Sequence, residues 1–224
     1  METIESLRKQ IDSAEDLQSV VKTMKGIAAV SIRQYERAVE SLRGYSEVVE
    51  RGFQLLAKQH AEVLHTGTQA DSGSLAAVVF GSDQGMCGSF NRDIAEHASR
   101  YSNEHGARDR ERLFLPIGIR AYTELDNLGH RPEVPHTVPN SVEGLTPGVQ
   151  RALFTIEGWR AERGVSQVLL HYNRPRRGAS YRPHTVQLLP LPTQWLTDLA
   201  QQPWPTNNLP DYPGDWQTLF AVLV

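Results

Sequence analysis

The chain has 224 residues, a formal net charge of -3, a pI near 6.2 and a single cysteine, Cys87. That length allows one large domain, or one of about 150 residues with an appendage. The balanced charge argues against a binder that works by neutralising nucleic-acid phosphates. One cysteine excludes an intramolecular disulfide and any multi-cysteine metal site, and no apolar run approaches the roughly 18 residues of a membrane span.

The N-terminal METIESLRKQIDSAEDLQ is charged and periodic and has no apolar core, so it does not read as a secretory signal. From Ile4 to about Lys58 there is no proline, and apolar residues recur at alternating steps of three and four. Ile4, Leu7, Ile11, Ala14, Leu17, Val21, Met24 and Ala28 start the seam; Ile32, Tyr35, Val39, Leu42, Tyr45, Val49 and Phe53 continue it. The spacing predicts a coiled-coil-like helix with a narrow apolar stripe. It would be roughly 80 Å long at about 1.5 Å per residue. Gly26, Gly44 and Gly52 are the places where it would bend, or break into two or three shorter core helices.

HTGTQADSGS (65–74) reads as a linker, and a strand–helix alternation follows. LAAVVF (75–80) is a buried strand, RDIAEHASRYSNEHG a helix ending at Gly106, RLFLPIG (112–118) a second strand, and IRAYTELDNLG a helix stopped by Gly129. HRPEVPHTVPNSV is broken by prolines and is at best an irregular edge strand. Pro147 to Arg163 is helical, VSQVLLHYN (165–173) is a strand, and RPRRGASYRP is a basic loop returning antiparallel in HTVQLLPLP. The expected fold is α/β: a long N-terminal coiled-coil helix (1–64), then a small α/β domain (65–200) with a mostly parallel sheet. Residues 201–224 form a Pro-rich connector and the start of a helix capped by Asp215.

FGSDQGMCGSFN (80–91) follows the first strand and holds glycines at 81, 85 and 88. It lacks the lysine and Ser/Thr of a Walker A loop, and its G-x-x-x-G-x-x-G spacing is not the dinucleotide fingerprint. A phosphate on a helix N-terminus is the minority reading there, and a tight turn with Asn91 or Ser89 as helix cap the leading one. Cys87 has no recognisable partner and reads as a small buried residue rather than a nucleophile. His97, His105 and His171 lack metal-ligand spacing. Arg174, Arg176, Arg177 and Arg182 cluster in one loop, either simply solvated or facing an acidic partner. No catalytic residue, cofactor or metal ligand is identified.

SLRKQIDSAEDLQSVVKTMKGIAAVSIRQYERA (6–38) resembles the N-terminal helix of the gamma subunit of F-type ATP synthases. The matching positions are Ile11, Ser13, Val21, Lys22, Met24, Lys25, Ala28, Ala29 and Arg33. SDQGMCGSFN (82–91) is similar to that family's SDRGLCGGFN signature, through Ser82, Asp83, Gly85, Cys87, Gly88 and Asn91. Gln84, Met86 and Ser89 depart from it, as does Val30-Ser31-Ile32 on the helix, which points to a divergent branch such as an alternate ATPase.

The resemblance implies a non-catalytic rotor subunit of the central stalk that couples ion flow to ATP synthesis or hydrolysis. Its implied partners are the catalytic and non-catalytic ring subunits, an epsilon-type subunit and the membrane c-ring, on the cytoplasmic side of the inner membrane, peripherally. Lys22, Met24, Lys25 and Arg33 are the implied partner contacts. Members of the family end in a long helix pairing antiparallel with the first, and Val224 falls about where that helix starts, so the expectation is of a truncated shaft. The alternative reading is a standalone α/β anion- or nucleotide-binding regulatory module with a coiled-coil dimerisation arm.

Overall fold

A computed structural model describes residues 3–60, 62–63, 73–105, 110–178, 180–212 and 214–223. Most of the expected linker at 65–74, and the Gly106 helix stop, lie outside the described residues. The chain divides into two units, Met1–Glu47 and Val48–Val224.

The first unit is most of one helix. Helix α1 (Ile4–Gln59) runs 56 residues, so the reading of two or three shorter helices is overturned. Neither Gly26 nor Gly44 breaks it: each costs a helix only about 1 kcal/mol relative to alanine, and no proline removes a backbone donor. Ser13 and Thr23 donate their hydroxyls back to the carbonyls of Lys9 (2.8 Å) and Ser19 (3.1 Å), so neither needs a partner outside the helix. The apolar seam in this unit is exposed: Ile11, Leu17, Val21, Ile32, Val39 and Leu42 show between 47% and 69% of their surface.

The second unit is a small α/β domain. In chain order it holds β1 (Ser74–Phe80), α2 (Phe90–His105), β2 (Arg112–Ile117), α3 (Ile119–Asn127), α4 (Leu145–Arg163), β3 (Val165–Pro175), β4 (Tyr181–Leu189), α5 (Thr193–Gln201) and α6 (Trp216–Leu223). The sheet order is β2-β1-β3-β4. β1 is parallel to both β2 and β3, and β4 returns antiparallel to β3. Helices cover both faces, which is why LAAVV in β1 is apolar without alternation and is buried throughout. Leu75, Ala77 and Val79 pack on one face with Ile94 and Ala98 of α2 and Ala121 and Leu125 of α3. Ala76 and Val78 pack on the other with Ile156 and Trp159 of α4.

A third cluster joins the last turns of α1 to the C-terminal helices. Phe53, Leu56 and Val63 pack with Leu196 and Leu199 of α5 and with Trp216 and Phe220 of α6. Trp216 stacks on His60 at 5.8 Å, Phe220 meets Phe53 edge-on at 6.0 Å, and Leu223 lies against Gly52. As α6 advances its contacts move back along α1, so the two helices run antiparallel. Asp215 caps α6 as expected, its Oδ1 accepting the Thr218 N–H at 2.7 Å. Helix α5 fills the stretch between the strand HTVQLLPLP and the connector, to which the sequence analysis assigns no element, and takes in Gln201, expected to open the connector.

The two sheet edges differ. The proline-broken segment after α3 seals the outer edge of β2: Glu133 and His136 donate to the carbonyls of Phe114 (3.1 Å) and Pro116 (3.0 Å), and Gly118 donates to His136 (2.7 Å). Among the described residues, a single bridge, Ile117 to His136, is the strand pairing it makes. Among the described residues β4 pairs only with β3, and its outer edge carries Arg182, Pro183 and His184. No helix of the described residues is long and apolar enough to cross a membrane.

Candidate functional site

The glycine turn between β1 and α2 is tied to the start of α3 by its own polar groups. Ser82 uses all four of its hydrogen-bonding groups locally. Its N–H donates to Asn91 Oδ1 (2.8 Å) and its carbonyl accepts from Arg120 N–H (2.9 Å). Its hydroxyl donates to the Gln84 carbonyl (2.7 Å) and accepts from Asn91 Nδ2 (2.9 Å). Asp83 spans two segments: Oδ1 accepts from Ile119 N–H at 2.9 Å and Oδ2 from Val138 N–H at 2.8 Å. The carboxylate therefore satisfies the first amide of α3, where no residue of the helix's own cap does so.

Glycine is required here for close approach. A Cβ on Gly81 would stand 2.5 Å from Asn91 Oδ1 and 2.6 Å from Ala121 Cβ. One on Gly118, at φ 108°, would meet the Ser82 backbone at 2.8 Å. Met86 and Gly88 both take left-handed backbone, φ 59° and 58°. Gly85 sits beside the Arg120 guanidinium, 3.5 Å from where its Cβ would be.

Half-buried Cys87 accepts a hydrogen bond from Asn91 Nδ2 (3.2 Å) and its thiol lies 3.8 Å from the Gln84 carbonyl. Asn91 is 6% exposed and holds Ser82 and Cys87 together, so its side chain does not cap α2. Ser89 does not cap through its side chain either: it donates to Asp93 Oδ2 (2.8 Å), which also accepts from Tyr181 OH (2.9 Å). Ser82, Cys87 and Asn91 thus converge in one clamp, while Asp83 ties the turn to Ile119 and Val138. Their role is to fix strand, turn and the α3 N-terminus in register.

Lys22, Met24, Lys25 and Arg33 lie on α1 in the first unit. Lys22, Lys25 and Arg33 are exposed and Met24 is half-buried. At helical spacing Lys22 and Lys25 share a side of the helix, with Met24 turned away from both.

The histidines and arginines acquire a context that spacing alone did not show. Arg174 and Arg182 are not loop residues; they face each other across β3 and β4, leaving Arg176 and Arg177 in the connecting loop. His171 on β3 is fully buried, and its Nδ1 lies 2.9 Å from Thr185 Oγ1, which lies 2.8 Å from His97 Nε2. Burial, with a smaller push from His97, holds the His171 imidazole neutral, its pKa lowered to about 3. Burial lowers His97 as well, helped by Arg100, His184 and Arg182.

A family model described as ATP synthase matches residues 3–222. The ATP synthase gamma chain of Trichlorobacter lovleyi is 28% identical over 198 residues, which is 85% of this chain and 66% of that one. The gamma chain of Granulibacter bethesdensis is 26% identical over 232 residues, covering 100% of this chain and 78% of its own. Against several of these relatives the chain spans slightly less than two thirds of their length. Among solved structures, a chain of the central stalk and c-ring of Tetrahymena thermophila mitochondrial ATP synthase shares the fold. Its TM-score is 0.54 at 18% identity, over 91% of this chain and 85% of that one. A chain of the Euglena gracilis mitochondrial ATP synthase gives 0.53 at 16% identity, over 96% and 67%. With the long helix, the α/β domain and the signature turn all in place, the chain belongs to the ATP synthase family, among its gamma chains.

Proposed function

We propose that this chain is the rotor subunit of the central stalk of an F-type ATP synthase, mechanically coupling ion flow through a membrane ring to ATP synthesis or hydrolysis on a catalytic ring. The observation that carries the proposal is the family match over residues 3–222 on a chain that pairs a 56-residue helix with an α/β domain. Torque needs a stiff, asymmetric rod, and an α-helix whose backbone bonds are all internal supplies stiffness without any reactive group. The exposed seam of α1 is the face that a second shaft helix would cover, and α6 already runs antiparallel to the end of α1 at Gly52. Chemistry takes place on the ring subunits; the clamp at Ser82–Asn91 holds the α/β domain in shape.

In this reading the partners are the catalytic and non-catalytic ring subunits around α1, and an epsilon-type subunit and the c-ring against the α/β domain. Lys22, Met24, Lys25 and Arg33 meet the moving parts of the ring, with the cations attracting an acidic surface. The complex is peripheral, on the cytoplasmic side of the inner membrane. The functional division of the chain is a shaft half over 1–64, an α/β domain over 65–200 and a connector with the start of a helix over 201–224. The test is to co-express the full chain with the ring subunits of its own organism and purify through the ring. Recovery of a stoichiometric complex with ATP hydrolysis and a rotating probe on the α/β domain is expected; a ring that assembles and excludes the chain overturns the proposal.

A further inference from the structure

A concave groove of about 580 Å³ lies between α2 and the β3–β4 hairpin, apart from the signature turn and from the proposed partner contacts on α1. Its lining includes the guanidinium-bearing Arg174, Arg176 and Arg182 and the imidazole-bearing His97 and His184, with Tyr101 as an aromatic wall. Among the described residues, no carboxylate lines it. None of the three arginines forms an ion pair with another described residue, whereas Arg160 and Arg163 of α4 are each paired with glutamates. The acidic influence on His97 is that of Glu104, smaller than burial and than its cationic neighbours Arg100, His184 and Arg182.

Three uncompensated guanidiniums around one concavity repel each other and are stabilised by a counter-charge there. The groove is also preorganised. Thr185 on its floor is bonded to both His97 (2.8 Å) and the buried His171 (2.9 Å), which fixes the His97 ring. Tyr101 is stacked on His105 at 3.9 Å, which fixes the wall. A volume of about 580 Å³ falls within the range of small-molecule sites, roughly 300–1,000 Å³. A single carboxylate brings one charge and two oxygens to three forks, whereas a phosphomonoester or diphosphate brings about two or more charges and further oxygens, pairs of which the planar arginine fork takes bidentately.

We infer that this groove is a binding site for a phosphate-bearing anion, held by Arg174, Arg176 and Arg182 with His97 and His184 as further donors. The phosphate comes either from a soluble di- or polyphosphate or from the phosphomonoester headgroup of an anionic lipid. The inference is independent of the rotor reading, since it rests on the groove alone.

The test titrates the full chain with pyrophosphate and, separately, with phosphatidic acid vesicles against phosphatidylcholine vesicles. Binding is followed by calorimetry or co-sedimentation and by the NMR shifts of the His97 and His184 rings. Saturable binding is expected in at least one arm, weakened about tenfold or more by Arg174→Gln and by Arg182→Gln. Arg177→Gln, in the same loop but outside the lining, should change it less than about twofold. Saturation by pyrophosphate identifies a soluble ligand, and binding to anionic vesicles only identifies the headgroup. Absence of binding in both arms, equal loss in Arg177→Gln, or binding of polyglutamate with none of either phosphate probe overturns the inference. Circular dichroism of each variant separates loss of binding from loss of fold.

Discussion

Asp83 ties the glycine turn to two distant segments through one side chain. Both of its oxygens accept backbone amides, from Ile119 and Val138, on segments 36 and 55 residues away. Asparagine has one acceptor oxygen and would present an N–H₂ to the other amide. Asp83→Asn should therefore cost about 1–3 kcal/mol, read as a lowered urea midpoint with unchanged slope. His171 has a different signature. Its folded pKa of about 3 is below its ordinary value of 6.5, so the unfolded chain takes up a proton that the folded chain refuses. The stability this contributes is complete above pH 6.5 and declines as pH falls from there toward 3, by at most about 1.4 kcal/mol per pH unit. Burial lowers His97, His130 and His136 as well, so all four act in the same direction. Urea midpoints measured from pH 7.5 to 5 should fall, and His171→Gln, which can still reach Thr185, should flatten the slope; an unchanged slope would show that His171 titrates normally. The sequence singled out His171 only as lacking metal-ligand spacing and did not reveal its partner, because a histidine in an apolar strand looks the same whether it faces a hydroxyl, a metal or water.

At the scale of elements, α1 and the β1–α2–β2–α3 succession were legible because period and punctuation agreed. No proline interrupts the 3-and-4 spacing of α1, and glycines mark the turns after β1, β2 and α3. Helix α5 was not legible. Pro190 and Pro192 precede it and Pro203 follows it, and its nine residues bury only Leu196 and Leu199. Its existence depends on the apolar surface offered by Phe53 and Leu56, which is tertiary information. The capping roles expected of Ser89 and Asn91 went astray for a related reason. Residue type announces a polar turn, but Asn91 is drawn to Ser82 and Cys87 by the fold of the turn. Gly26 yields a clean test of helix energetics, since a Cβ there meets nothing within 4 Å. Gly26→Ala should strengthen α1 by about 1 kcal/mol, seen as increased helical dichroism and slower amide exchange around residue 26. If the same variant lowers coupling in the assembled enzyme while the isolated chain gains helix, a neighbour in the complex requires the bare backbone.

For the whole molecule, the proposed rotor role predicts that no single polar contact carries torque. Lys25 is exposed and an isolated surface ion pair contributes about 0–1 kcal/mol, so Lys25→Ala should reduce ion-coupled ATP synthesis modestly and leave the chemical step of hydrolysis unchanged. Coupled and uncoupled turnover measured on the same membranes distinguish the two. The sheet carries a further consequence at its open side. While β2 is sealed by residues 133–136, β4 ends the sheet with Arg182, Pro183 and His184 along it. Proline withholds a donor and arginine repels its own image, so a second sheet cannot extend this one in register. Those residues guard the open edge of the free chain against fibril growth. Pro183→Val should leave the fold intact yet make concentrated solutions bind amyloid dyes on storage.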